Sequence, residues 1–225
     1  MTGRNASKLS AAASTLQSSS AIVGSISTLA LDVLSPGSIA AAASTVSEQH
    51  GRLDVLINNA GRGAWDADTQ TQWSDTLATN VVGPALVCEH FRPLLLKSAE
   101  SGGKPYSIFI TSGLGSLGIA TDPSQPWYAA AGPGITAYRA SKAALNMLAV
   151  EEGKLLKGKV KVFTACPGLV VSNLRGESEQ ARSAGGRAVD PEVSGQMVLK
   201  ILRGERDGES VVEGKFAQAD GVYPW

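Results

Sequence analysis

Apolar positions along the chain alternate between short β-branched runs and longer stretches of helical spacing, which predicts an α/β fold. Residues 5–17 form a Ser- and Ala-rich helical stretch with Asn5 or Ser7 as its cap. ISTLALDV (26–33) reads as a strand. Ser35-Pro36 then supplies a cap and a first-turn proline for an alanine-rich helix to His50, closed by Gly51. LDVLI (53–57) is a short apolar run, read as a strand buried on both faces. Residues 72–97 read as one long helix carrying Pro84 and Pro93 as irregularities, and SIFIT (107–111) as a strand. Residues 113–134 are rich in Gly and Pro and read as a loop. A helix over 135–156, a strand over 160–165 (VKVFTA), a helix over 191–202 and a last strand over 210–216 complete the pattern. Strands separated by helix-length connections imply crossover units, hence a doubly wound parallel sheet with helices on both faces. Without repeat, linker or charged tail, residues 1–225 read as one domain.

Composition narrows the partners. The 225 residues are 43% hydrophobic, enough for a real core. Twenty basic side chains balance twenty acidic ones, which gives no electrostatic reason to expect nucleic acid or an anionic membrane. No apolar run reaches bilayer length, and the first residues do not resemble a secretory signal, so a cytoplasmic location is expected. Cys88 and Cys166 make no disulfide framework, and His50 and His90 no metal cluster; no metal is expected.

Candidate chemistry centres on Tyr138-Arg-Ala-Ser-Lys142, at the start of a predicted helix. Four residues along a helix put the phenol and the ammonium on one face. A neighbouring cation favours the phenolate and is expected to lower the Tyr138 pKa towards neutrality. Ser112 ends a strand at the carboxyl side of the sheet, where open parallel sheets place their ligands, and can donate to an oxygen gaining charge. Asn80 falls inside the long helix, where asparagine is mildly unfavourable; it is either a solvent-facing residue or the mark of a helix distortion. Asn58-Asn-Ala-Gly61 and Pro167-Gly168 each follow a strand directly and read as turns. Gly113-Leu-Gly-Ser-Leu-Gly118 fits the dinucleotide pattern G-x-G-x-x-G. It is rejected as a phosphate site because the helix breakers of 121–127 follow where a helix should open.

Taken in order, Asp32-Val33, Asn58-Asn-Ala-Gly61, Asn80, Ser112, Tyr138-x-x-x-Lys142 and Pro167-Gly168 resemble the short-chain dehydrogenase/reductase (SDR) family across essentially the whole chain. The resemblance implies a Rossmann-like fold and a catalytic set of Asn80, Ser112, Tyr138 and Lys142. Tyr138 would exchange the proton with substrate, Lys142 lower its pKa and bond the nicotinamide ribose, Ser112 orient the carbonyl, and Asn80 help hold a relay water. Asp32 and Val33 would contact the adenine, Asn59, Ala60 and Gly61 line the cofactor cleft, and Pro167, Val170 and Ser172 lie beside the nicotinamide. Arg4, at the end of the second strand of the family pattern, favours a 2′-phosphate and hence NADP over NAD. Family members begin with a strand and the turn Thr-Gly-x-x-x-Gly-x-Gly opening a helix. Nothing before Thr2 supplies them, so the first strand and Gly-rich loop are expected to be absent. Either the sequence is a truncated version of a longer enzyme or the protein no longer binds dinucleotide well.

The implied reaction is NADP-dependent reduction of a ketone or aldehyde, or oxidation of a secondary alcohol. Two rivals share the scaffold: a non-redox epimerase, dehydratase or cyclase, and a cofactor-deficient interaction module. The resemblance also implies a homodimer or homotetramer through the helices bearing Asn80 and Tyr138. The long segment between Ser112 and Tyr138, with Trp127 and Tyr128, is expected to cover the substrate, supplying an apolar wall with Trp65 and the segment around Leu174.

Overall fold

In the computed structural model, residues 1–19, 23–65, 67–125, 127–219 and 221–225 are described. Strand β1 (Thr2–Gly3) leads into helix α1 (Ala6–Gln17), then β2 (Leu29–Ala30), α2 (Pro36–His50), β3 (Val55–Asn58) and α3 (Thr69–Leu77). A π-helical turn (Ala78–Val82) joins α3 to α4 (Gly83–Glu100), followed by β4 (Tyr106–Ile110), a 3₁₀ turn (Gly113–Gly115), α5 (Leu117–Thr121) and α6 (Ile135–Leu155). The chain closes with β5 (Lys161–Cys166), α7 (Glu179–Arg182), α8 (Glu192–Leu202), β6 (Phe216–Gln218) and β7 (Gly221–Tyr223). Helix starts follow the local chemistry. The Asn5 side chain accepts from Lys8 N–H, and Ser35 accepts from Ser38 N–H ahead of Pro36. Gly51, at φ 73°, supplies the left-handed residue that ends α2.

The strands form two sheets, β1–β2 and β3-β4-β5-β6-β7. Pairs are parallel from β3 through β6, and β7 turns back antiparallel to β6. Alternation along β4 and β5 sends Phe109 and Val162 to one face, against Leu145 and Ala149 of α6 and Leu95 of α4. Ile108 and Phe163 go to the other face, against Met197 and Ile201 of α8. Burial on both faces explains why these strands read as unbroken apolar runs. Arg92 of α4 makes a two-pronged bond to Glu152 of α6 (Nε–Oε1 2.9 Å, Nη2–Oε2 2.8 Å), locking the two helices of that layer together. Among the described residues no helix is long and apolar enough to cross a membrane.

The expected absence of a first strand is overturned. The chain opens on a strand, held parallel to β2 by Leu29 N–H donating to Met1 O (2.9 Å) and Leu31 N–H to Gly3 O (3.1 Å). The terminal ammonium adds a bond to Ser27 O at 2.7 Å. Two residues carry no apolar period, so only pairing with a distant segment makes this strand; Gly3 fits because Leu9 of α1 comes within 3.3 Å of where its Cβ would stand.

Other boundaries moved for identifiable reasons. The 26–33 run is a strand only over Leu29–Ala30, because its partner strand is two residues long. β3 was expected to be buried on both faces, yet it ends the five-stranded sheet and leaves Ile57 42% exposed. Residues 113–134 are not all loop: Ser112 and Ser116 cap the 3₁₀ turn and α5. Pro126, one of the helix breakers in this stretch, lies outside the described residues. The last predicted strand, 210–216, starts only at Phe216, since Val211–Glu213 form a 3₁₀ turn that packs Val211 into the core beneath α6.

Candidate active site

The carboxyl ends of β3, β4 and β5 converge on the first two turns of α6. Lys142 Nζ donates to Ile110 O, the last residue of β4, at 2.9 Å, and so pins the helix to the strand exit. Thr111 Oγ1 reinforces the joint by donating to Asn146 Oδ1 (2.7 Å), while Asn146 Nδ2 reaches Gly115 O (3.4 Å). Tyr138 and Lys142 are almost wholly enclosed, 5% and 3% exposed, with Nζ 5.7 Å from the centre of the phenol ring.

The glycines of the rejected G-x-G-x-x-G segment have packing reasons instead. A Cβ at Gly115 would stand 2.6 Å from Lys142 C; at Gly113, 2.9 Å from the Tyr223 ring; at Gly118, 2.8 Å from Pro224 Cβ. These positions let the chain lie directly against α6 and the carboxyl-terminal hairpin. Contrary to the expectation that helix breakers follow the segment, a helix does open there: α5 follows at once, capped by Ser116. It runs only five residues, Leu117–Thr121.

Asn80 marks a helix distortion and is fully buried rather than solvent-facing. The predicted single helix is α3 and α4 joined through the π turn that contains it. Its Oδ1 accepts from Arg62 N–H (2.8 Å), and its Nδ2 donates to Arg62 O (2.9 Å) and to Ser141 Oγ (2.9 Å). Ser141 passes the connection on, donating to Tyr138 O at 2.8 Å. One amide thus binds the turn after β3 to the helix bearing the phenol and the ammonium. Ser141 lies inside the Tyr–Lys motif and was overlooked; Thr111 and Asn146 carry no sequence signal that separates them from ordinary polar residues.

Electrostatics differ from the expectation in which Lys142 pulls the phenol down. Burial is the largest influence on Tyr138 and holds its pKa above the ordinary range, with the neighbouring Cys166 adding to the rise. Hydrogen bonding to Ser112 and the charge of Arg175 act in the lowering direction. Burial also pushes Lys142 down from 10.5 to about 8. Both groups sit in the same dry place, so each is driven towards its neutral form, and Nζ faces the ring while its described bond goes to the Ile110 carbonyl. Arg175 was not singled out from sequence; nothing in the local pattern of 173–175 shows that its charge is felt at Tyr138.

Asn80, Ser112, Tyr138, Lys142 and Gly61 come together: a Cβ on Gly61 would stand 3.6 Å from Lys142 Nζ and 3.7 Å from Asn80 Oδ1. Asn59, Ala60 and Gly61 form an exposed turn beside the buried pair. Pro167, Val170 and Ser172 are half-buried on the segment leaving β5. Arg4, Asp32 and Val33 lie at the ends of the separate β1–β2 pair. Among the described residues they make no hydrogen bond, ion pair or ring contact with Asn80, Ser112, Tyr138 or Lys142. Asp32 Oδ1 is occupied in accepting from Leu34 N–H (3.0 Å), and Arg4 is exposed.

Residues 1–183 match the family model described as "short chain dehydrogenase". The chain belongs to the short-chain dehydrogenase family. The match begins at residue 1, on the strand expected to be missing. As a family member the protein is an NAD(P)-dependent oxidoreductase. The short-chain dehydrogenase/reductase eupG of Phoma sp is 36% identical over 217 residues, covering 88% of this chain and 76% of that one. The NADPH-bound carbonyl reductase from chicken fatty liver superposes with a TM-score of 0.75 at 28% identity, covering 99% of this chain and 84% of that one. A metagenomic short-chain oxidoreductase in complex with NADP gives 0.64 at 27% identity, covering 89% and 76%.

Proposed function

We propose that the protein uses NADP to interconvert a ketone or aldehyde and its alcohol, with Tyr138, Ser112, Lys142 and Asn80 as the proton-handling set. The observation that carries this reading is the buried Tyr138–Lys142 pair at the exit of β4, with Ser112 close enough to lower the pKa of the phenol. NADP rather than NAD draws support from the NADP-bound relatives and from the exposed Arg4, whose guanidinium suits a 2′-phosphate.

The residues present fit such a cofactor. Lys142 carries three N–H donors, and its one described acceptor is Ile110 O. The remaining donors, buried beside the open 59–61 turn, suit ribose hydroxyls. Asn59, Ala60 and Gly61 would line the cleft, Pro167, Val170 and Ser172 border the nicotinamide, and Asp32 and Val33 meet the adenine. When bound, the cofactor supplies or takes up the hydride.

The protein's own part is a proton and a hydrogen bond. Because burial keeps the phenol above its ordinary range, Tyr138 stays protonated at neutral pH and can give that proton to the substrate oxygen as charge builds there. Ser112 donates to the same oxygen and so stabilises the charge that develops. The Asn80 side chain has both Nδ2 hydrogens spent on Arg62 O and Ser141 Oγ. A relay water would therefore be held by an acceptor of Asn80, its backbone carbonyl within the π turn or the second lone pair of Oδ1. Tyr138→Phe removes the transferable proton and leaves the ring packing intact. Turnover with NADPH and a ketone should fall by about 10²–10⁴, with the fold unchanged by circular dichroism. Turnover within threefold of the parent rules this reading out.

A further inference from the structure

Trp65 takes no part in proton transfer, yet it touches two sides of the site. Its indole packs on the Tyr138 ring, with centroids 5.2 Å apart and planes tilted by 50°. Its Nε1–H donates to Leu174 O at 2.9 Å. Several features hold the indole there. Asn80 grips Arg62, three residues upstream, through both its backbone N–H and its carbonyl. Gly63 leaves the space the indole occupies, because a Cβ there would stand 2.1 Å from Trp65 Cζ2 and 2.2 Å from Cε2. Gly134, at φ +72° just before α6, admits Ala64 O within 3.1 Å of where its own Cβ would be.

The carbonyl that Trp65 reaches belongs to a stiff unit. Arg175 Nη2 donates to Val170 O (2.8 Å) and Arg182 O (2.7 Å), and its Nε to Ala181 O (3.0 Å), which gathers residues 170–182 into one piece. That piece is tied to the rest of its own side by the Val170–Val189 bridge. Among the described hydrogen bonds, only that of Trp65 joins residues 169–176 to α6 or to the 58–82 stretch.

We propose that Trp65 is a positioning residue for substrate: its ring backs the catalytic phenol while its N–H latches the 169–176 segment to the same wall. The inference rests on the reaction proposed above, and it assigns Trp65 the task of keeping the two sides of the substrate cleft at a fixed separation. The latch is the same before and during the proton transfer, so its loss weakens substrate binding and leaves the chemical step alone.

Trp65→Phe keeps an aromatic ring on Tyr138 and deletes the N–H. In the full chain with saturating NADPH, KM for a ketone should rise about fivefold while kcat stays within about twofold. Hydrogen exchange should quicken over residues 169–176 and remain as in the parent over α6. Unchanged exchange over 169–176, or a fall in kcat at constant KM, overturns the proposal. Should the phenylalanine variant fail to fold, the benzothiophene analogue of tryptophan at position 65 swaps N–H for sulfur at nearly constant shape. It must show the same rise in KM and the same local exchange, and parental behaviour in both refutes the latch. The exchange measurement needs no turnover, so an inactive parent would sink the proposed reaction and still leave the tie open to this test.

Discussion

Replacing Lys142 by methionine should make the protein more resistant to unfolding at neutral pH in proportion to the charge it no longer buries. Burial lowers the Lys142 pKa from 10.5 to about 8. In the unfolded chain the ammonium keeps its proton up to the higher value; in the folded protein it gives it up near the lower one. Between those two pH values the unfolded state binds more protons, so stability rises with pH across that window. Below about 8 both states are protonated and the full penalty of the buried charge is present. A depression of this size corresponds to roughly 3 kcal/mol at pH 7, of which about 1 kcal/mol remains at pH 10. The bond to Ile110 O is lost in the variant at every pH and shifts its curve by a near-constant amount. Urea unfolding of both proteins at pH 7, 8, 9 and 10 separates the two contributions. The parent should gain about 2–3 kcal/mol on the variant over that range, and a difference that is flat or of opposite slope refutes the reasoning. Turnover should be lost in the variant throughout, because the N–H donors proposed for the ribose hydroxyls go with the amine.

Two further substitutions test how the site is held. Asn80→Ala removes three hydrogen bonds from a fully buried position and strands Arg62 N–H, Arg62 O and Ser141 Oγ. A loss of about 2–4 kcal/mol is expected, read as a lower urea midpoint at unchanged slope; a loss below 1 kcal/mol would show that the turn after β3 is secured in another way. Gly115→Ala places a methyl 2.6 Å from the Lys142 backbone carbon, an atom that cannot swing aside. Overpacking should cost about 1–3 kcal/mol and displace α6, so the melting temperature and turnover fall together. A variant that melts with the parent contradicts the close packing assigned to this glycine.

Much of the layer structure was legible along the chain because it depends on local chemistry. The caps at Asn5 and Ser35, the left-handed stop at Gly51 and the apolar runs of β4 and β5 are properties of a few neighbouring residues. The order Asn58–Gly61, Asn80, Ser112, Tyr138, Lys142 also pointed to the family, since helical spacing and strand ends say where such residues fall along an element. Other features are decided by what arrives from far away. β1 is a strand because residues 29–31 pair with it, and β3 shows Ile57 to solvent because no described strand pairs with its outer edge. The glycines of residues 113–118 look like a phosphate loop until α6 and the carboxyl-terminal hairpin are seen packed on them. Spacing put an ammonium one turn from a phenol and could go no further. How far each pKa moves depends on how much water the surrounding layers exclude, and here that burial drives phenol and ammonium alike towards their neutral forms.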